Sequence, residues 1–193
     1  MSRRPHQDCP CCAPGALNRR EVIRASLGLG LACTGLAAAP ALAVSGPPRR
    51  ISVKRAYTED AFSGVYWEDG RYRREALQSL DWVFRDLSAE EVTPMDPRLF
   101  DVLHEVSQRL DTTEAFQVIS GYRAPERNGA MAARSRRVST VSLHMSGMAA
   151  DSRLPGRDSY GMARLAAEMG LGGVGLYRRD GFVHLDCGQP RRW

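Results

Sequence analysis

Four of the five cysteines in this chain, Cys9, Cys11, Cys12 and Cys33, lie in its first 33 residues, and Cys187 alone remains beyond them. The stretch that holds the four has the layout of an export leader. Arg19 and Arg20 stand in NRREVIR, a glycine- and alanine-rich apolar run follows from Ala25 to Ala39, and Ala41-Leu42-Ala43 offers a small-residue cleavage site. Residues 1–43 therefore read as a signal peptide that is removed, followed by a proline-containing linker over 44–50. A domain over residues 51–193 with one cysteine cannot close an internal disulfide, so it must hold together by packing or by a metal.

A retained membrane anchor fits less well, because Ser26, Gly28, Gly30, Thr34 and Gly35 interrupt the apolar run and Pro40 follows it. No stable membrane span is expected after cleavage. Cys33 does not make a lipid-attachment site, since Gly30, Leu31 and Ala32 place the leucine wrongly. The paired arginines resemble a twin-arginine signal, which implies export of a folded protein by the twin-arginine translocase to the periplasm. Removal of the leader takes five arginines and two acidic residues from totals of 27 and 22, leaving 22 basic against 20 acidic. That near balance gives no electrostatic footprint for nucleic acid.

The remaining domain mixes strand and helix patterns without regular alternation. Ile51 to Tyr57 alternates as a strand, and GVYWEDGRYR places Asp69-Gly70 between two β-prone stretches as a hairpin turn. Helical spacing recurs over 75–87, with Leu77, Leu80, Val83 and Phe84 and with Trp82 beside them, and over 97–110, with Leu99, Leu103, Val106 and Leu110. Phe116 to Ile119 reads as a short buried strand. Tyr160 to Met169 reads as a helix closed by Gly170, before two paired strands in GGVGLY and FVHLD. The pattern predicts an α+β fold with a small antiparallel sheet flanked by helices.

Three histidines lie in this domain. His104, in the helix DVLHEVSQRL, reads as an ordinary surface or half-buried residue. His144 stands seven positions before Asp151 in VSLHMSGMAADSRLPG, where Gly147 permits a turn with positive φ and Ala149 and Ala150 let the chain fold closely. His184 ends an apolar strand, with Asp186 on the same face two residues later. His144, Asp151 and His184 supply the three nitrogen and oxygen ligands of a catalytic zinc that leaves a fourth position to water. On spacing alone, a turn capped by Asp151 beside a solvated His144 is the equal alternative. Arg123, at the end of a strand, can form two parallel bonds to a carboxylate or carbonyl, or a surface salt bridge.

Ser142-x-His144-x-x-Gly147-x-Ala149-x-Asp151 resembles the first zinc motif of the M15 peptidases, the D-alanyl-D-alanine carboxypeptidases and related LAS-type murein hydrolases. VISGYRAPERN is similar to their SGYRSP segment, and GGVGLYRRDGFVHLDCGQPRRW resembles the DUF882 subgroup. The likeness spans nearly all of residues 50 to 193. It implies a Hedgehog/DD-peptidase type of α+β fold, Zn2+ held by His144, Asp151 and His184, and a substrate drawn from peptidoglycan peptides. It also implies that Arg123 fixes substrate and steadies charge on the tetrahedral intermediate. One departure stands out. Better-known members place an acidic residue three positions before the last histidine, and here that position is Gly181. Asp186 is the leading substitute as general base and Asp180 the second, while Asp186 serves equally well as a partner that orients His184 through its ring N–H. Loss of turnover at Gly181 would leave a zinc-containing envelope protein that binds peptidoglycan without cutting it.

Overall fold

The computed structural model describes residues 46–136 and 138–193. The leader reading over 1–43 lies outside the described residues. Eight strands and, among the described residues, four α-helices form the domain. The strands are β1 (Arg49–Arg55), β2 (Ala61–Glu68), β3 (Arg71–Tyr72), β4 (Phe116–Ser120), β5 (Ala149–Arg153), β6 (Gly173–Tyr177), β7 (Phe182–Asp186) and β8 (Arg191–Arg192). The helices are α1 (Arg74–Phe84), α2 (Pro97–Arg109), α3 (Pro125–Arg134) and α4 (Ser159–Met169), with a 3-10 turn at Leu143–Ser146.

The α+β class holds, but the sheet is neither small nor wholly antiparallel. Its order is β3-β2-β1-β4-β5-β7-β6-β8, with β1 parallel to β4 and β6 parallel to β8. The first parallel pair follows from connectivity: two helices and the β2–β3 hairpin separate β1 from β4, which is enough chain for a crossover. The hairpin turns where the Asp69-Gly70 dipeptide predicts, with φ of 51° and 77° at the two residues. β1 begins at Arg49, inside the stretch expected to be linker.

Each helix is laid down by its own sequence. Asp96 caps α2 by accepting from the backbone N–H of Arg98 at 3.0 Å, with Pro97 at the first helical position. Asp158 caps α4 by accepting from Tyr160 and Gly161, and Gly170 closes it with φ 64°. α1 ends at Phe84, three residues earlier than its periodicity suggests, because Asp86 leaves the helix to accept other bonds. Trp82 faces out, donating to Asp60 Oδ1 at 2.9 Å and stacking with Arg85. α3, β5, β8 and the 3-10 turn have no counterpart in the sequence reading.

One contiguous apolar core includes Val53, Phe84, Leu99, Phe100, Leu103, Val118, Val183 and Leu185. α1 packs on β1 and β2, α2 on β1 and β7, and α4 on β6 and β7, with α2 and α4 touching each other. The period of two along each strand then sorts side chains. Val183 and Leu185 of β7 and Ala150 of β5 enter this core. His184, Asp186 and Asp151, on the alternate positions, are turned to the opposite face, where the site is built.

Candidate metal centre

β5 and β7 pair antiparallel with Asp151 directly opposite His184, so the sheet register alone brings this carboxylate and imidazole together across a sequence gap of 33 residues. Asp151 Oδ1 lies 3.0 Å from His184 Nδ1. His144 reaches the same point from the 3-10 turn. Ser142 caps that turn by accepting from the backbone N–H of His144 at 3.4 Å, and Gly147 ends it with φ 65°, as its place in the motif predicts. His144 Nε2 then lies 3.3 Å from Asp151 Oδ1 and 3.2 Å from His184 Nδ1. All three residues are buried.

The outer nitrogens of both rings are held by acceptors. Gly121 O accepts from His144 Nδ1 at 2.7 Å, and Asp186 Oδ2 accepts from His184 Nε2 at 3.1 Å. A backbone carbonyl and an ionised carboxylate can only accept, so each neutral ring carries its proton outward and turns a bare lone pair inward. Two nitrogen lone pairs and a carboxylate oxygen thus converge with no proton between them. With both rings neutral such a donor set suits a cation, and three N and O atoms on a buried face fit a divalent ion with an open position. Burial opposes charge on Asp151, but His144 and His184 outweigh it and hold the carboxyl well below the usual range. Burial likewise opposes charge on His184, and the carboxylates of Asp151 and Asp186, which accept from its ring when it is protonated, raise its pKa nonetheless.

Asp186 is wholly buried and its two oxygens are fully engaged. Oδ1 accepts from the backbone N–H groups of Gly173 and Gly188, each at 2.9 Å, and from Arg191 Nη1 at 3.2 Å, while Oδ2 accepts from Arg191 Nη2 at 2.7 Å besides His184. These donors hold the carboxyl well below its ordinary pKa against the effect of burial. Asp180 stands in the exposed turn between β6 and β7, away from the lining of the cavity over His144, Asp151 and His184.

Gly121 matters twice. A Cβ there would meet the Phe84 carbonyl at 2.2 Å, so only glycine lets β4 pass the end of α1 this closely, and its own carbonyl fixes His144. Asp86, fully buried, accepts from Ala124 N at 2.9 Å and Arg127 Nη1 at 2.7 Å and so pins the segment after Gly121. Arg123 in that segment is 8% exposed, with Nη2 3.7 Å from Asp151 Oδ2 and Nη1 donating to Asn128 Oδ1 at 3.2 Å. Its Nε has no protein partner among the described residues. Burial lowers its pKa, and it remains a cation at neutral pH. Above His144, Asp151 and His184 opens a cavity of about 290 Å³ walled by Arg123, Val141, Tyr177, Phe182 and Trp193.

His104 lies on α2, away from this site, with Nδ1 donating to the Arg50 carbonyl at 2.8 Å. Cys187 is buried and its thiol pKa is pushed up by that burial to about 11, which suits packing rather than nucleophilic chemistry. Gly121, Asp86 and Asn128 went unread in the sequence, because their roles depend on backbone atoms and on contacts no local pattern announces.

A family model described as peptidoglycan L,D-endopeptidase MepK, within the M15 peptidases, matches residues 43–193. The peptidoglycan L,D-endopeptidase MepK of Escherichia coli K12 is 36% identical over 180 residues, covering 91% of this chain and 97% of the relative. The Shigella flexneri protein of the same name matches equally. A probable peptidoglycan L,D-endopeptidase MepK of Haemophilus influenzae is 30% identical over 172 residues, covering 86% of this chain and 92% of that one. No solved structure matches the chain significantly. By the span of the family model and by these identities, the chain belongs to the M15 peptidase family of the peptidoglycan L,D-endopeptidase MepK.

Proposed function

We propose that this protein is a zinc-dependent endopeptidase of the cell envelope that cuts L,D amide bonds in peptidoglycan peptides. The observation that carries the reading is the convergence of His144 Nε2, His184 Nδ1 and Asp151 Oδ1 within 3.3 Å, each presenting a lone pair. The names of the relatives, all peptidoglycan L,D-endopeptidases, support the substrate class. The fold we assign is the Hedgehog/DD-peptidase type. Residues 1–43 are assigned as a cleaved twin-arginine signal and 44–50 as linker, giving a periplasmic location. Among the described residues no helix is long and apolar enough to cross a membrane.

His144, Asp151 and His184 would hold a divalent ion, which when bound would supply Lewis acidity toward a substrate carbonyl and lower the pKa of a water molecule. The chain's own groups do the rest. Arg123 lies beside Asp151 with its Nε N–H uncommitted, so its guanidinium is placed to hold a substrate carbonyl or carboxylate and to offset negative charge as it develops there. Asn128 keeps that guanidinium in place. Asp186 orients His184 and fixes its tautomer, the role that its closed set of hydrogen bonds favours over proton transfer with solvent. Asp186→Asn is expected to weaken metal affinity roughly 10- to 100-fold, because the neutral amide no longer favours the ring tautomer that turns Nδ1 inward. Competition with a calibrated chelator measures it.

One observation favours a second reading. Among the described residues Asp151 is the sole carboxylate lining the cavity, so a zinc-containing protein that binds peptidoglycan without turnover fits the same geometry. Zinc-loaded protein incubated with purified crosslinked muropeptides separates the two. Conversion of dimers to monomers with new amino termini is the expected result. Retention on whole sacculi with no released fragment establishes the binder instead.

A further inference from the structure

Trp193 occupies a position that its exposure does not explain. Its backbone is stitched to β6 on both sides, with N–H donating to the Val174 carbonyl and its own carbonyl accepting from Leu176 N–H, each at 3.1 Å. The indole is therefore placed by the sheet, yet it is 54% exposed. Its ring centroid lies 5.1 Å from that of His184 and 5.1 Å from the Arg191 guanidinium carbon. It walls the cavity over the metal ligands on one side and an apolar groove of about 310 Å³ on the other, where Ala163, Ala167, Val174 and Leu176 form the floor.

The strand beneath is built to receive it. Gly175 of β6 pairs in register with His184 of β7. Its φ lies outside the left-handed region, so the backbone does not require glycine there. The space does. A Cβ at 175 would lie 2.6 Å from indole Cε2, 2.7 Å from Cζ2 and 2.8 Å from Nε1. The glycine opposite His184 thus reserves its side-chain volume for the Trp193 ring, which covers the flank of the imidazole with apolar surface. An indole held rigidly beside a cleft presents a large apolar face suited to packing aliphatic groups.

Building on the reading of the site as a peptidoglycan peptidase, we infer that Trp193 is a substrate-positioning residue. Its indole packs against the aliphatic side chain of the wall-peptide residue next to the scissile bond, and Gly175 is the residue that permits it. The contact is made equally in the ground state and the transition state, so it acts on substrate affinity rather than on the chemical step.

The test uses zinc-loaded full-length protein and soluble crosslinked muropeptides. Trp193→Ala is expected to raise KM about tenfold with kcat within about twofold of wild type, as loss of uniform binding requires. Metal content should stay unchanged, and Trp193→Phe should recover most of the affinity. Gly175→Ala should reproduce the KM defect, since the new methyl group displaces the indole. In a Trp67→Phe/Trp82→Phe background, muropeptide binding to metal-free protein should shift the remaining tryptophan fluorescence. Unchanged KM in both Trp193→Ala and Gly175→Ala overturns the proposal, as does a loss confined to kcat and metal content, which would make the indole a prop for His184. Wild-type protein that cleaves no muropeptide removes the underlying reading and this proposal with it, whereas active wild type with indifferent variants removes this proposal alone.

Discussion

His184→Ala is expected to abolish metal retention and to lower muropeptide cleavage by more than about a thousandfold, because two protein ligands remain where a catalytic ion needs three. The folded state should survive. β7 is anchored on the core face by Val183 and Leu185, both fully buried, and the imidazole contributes nothing to that face. Thermal unfolding of the metal-free variant should therefore resemble that of metal-free wild type. His104→Ala is the matched control, since that ring sits on α2 and its hydrogen bond goes to the Arg50 carbonyl. It should leave cleavage within about twofold, as substitutions remote from the chemistry ordinarily do. Full metal content in His184→Ala would remove this histidine from the ligand set.

Arg123→Lys is the second large effect. Lysine keeps a positive charge near Asp151 but loses the planar fork, the bond from Nη1 to Asn128 and the free Nε donor. If the guanidinium steadies developing charge on the substrate, kcat should fall about a hundredfold with metal content unchanged. Metal analysis beside the kinetics separates this from the dull possibility. A variant that loses metal in proportion to activity would show Arg123 acting only as a brace for Asp151.

The cluster of His144, Asp151 and His184 was legible through the motif likeness rather than through spacing, which left a capped turn equally open: His144, Gly147, Ala149 and Asp151 sit in one ten-residue stretch, and His184 ends a strand with a clear apolar alternation. The hairpin at Asp69-Gly70 and the capped helices α2 and α4 were legible because each is signalled by residues within a turn of its boundary. β5 was not. Its sequence AADSR has no β-branched or aromatic residue and is buried on both faces between β4 and β7, so the alternation that marks a strand is missing. α3 carries Pro125 at its start and Glu126 in its first turn, which are fair signals, but it buries only Asn128 and so shows no apolar stripe.

The extent of the sheet was underread because two of its pairings are parallel, and parallel pairing joins segments that no turn dipeptide connects. Sequence left Asp186 balanced between two roles, and the proposed one, orienting His184, rests on surroundings the sequence did not announce. Donors from Gly173, Gly188 and Arg191 close around it, and none of those contacts follows from the strand alternation that put Asp186 on the face of His184.

Metal content tests the central claim most directly. Purified protein equilibrated with zinc, freed of excess by gel filtration and measured by plasma mass spectrometry should carry one ion per chain, and His144→Ala and Asp151→Asn should each carry less than about a tenth of that, as loss of a ligand from a three-residue site requires. Wild-type protein that emerges without stoichiometric metal, or variants that keep it in full, would contradict the convergence of His144, Asp151 and His184 on a common cation.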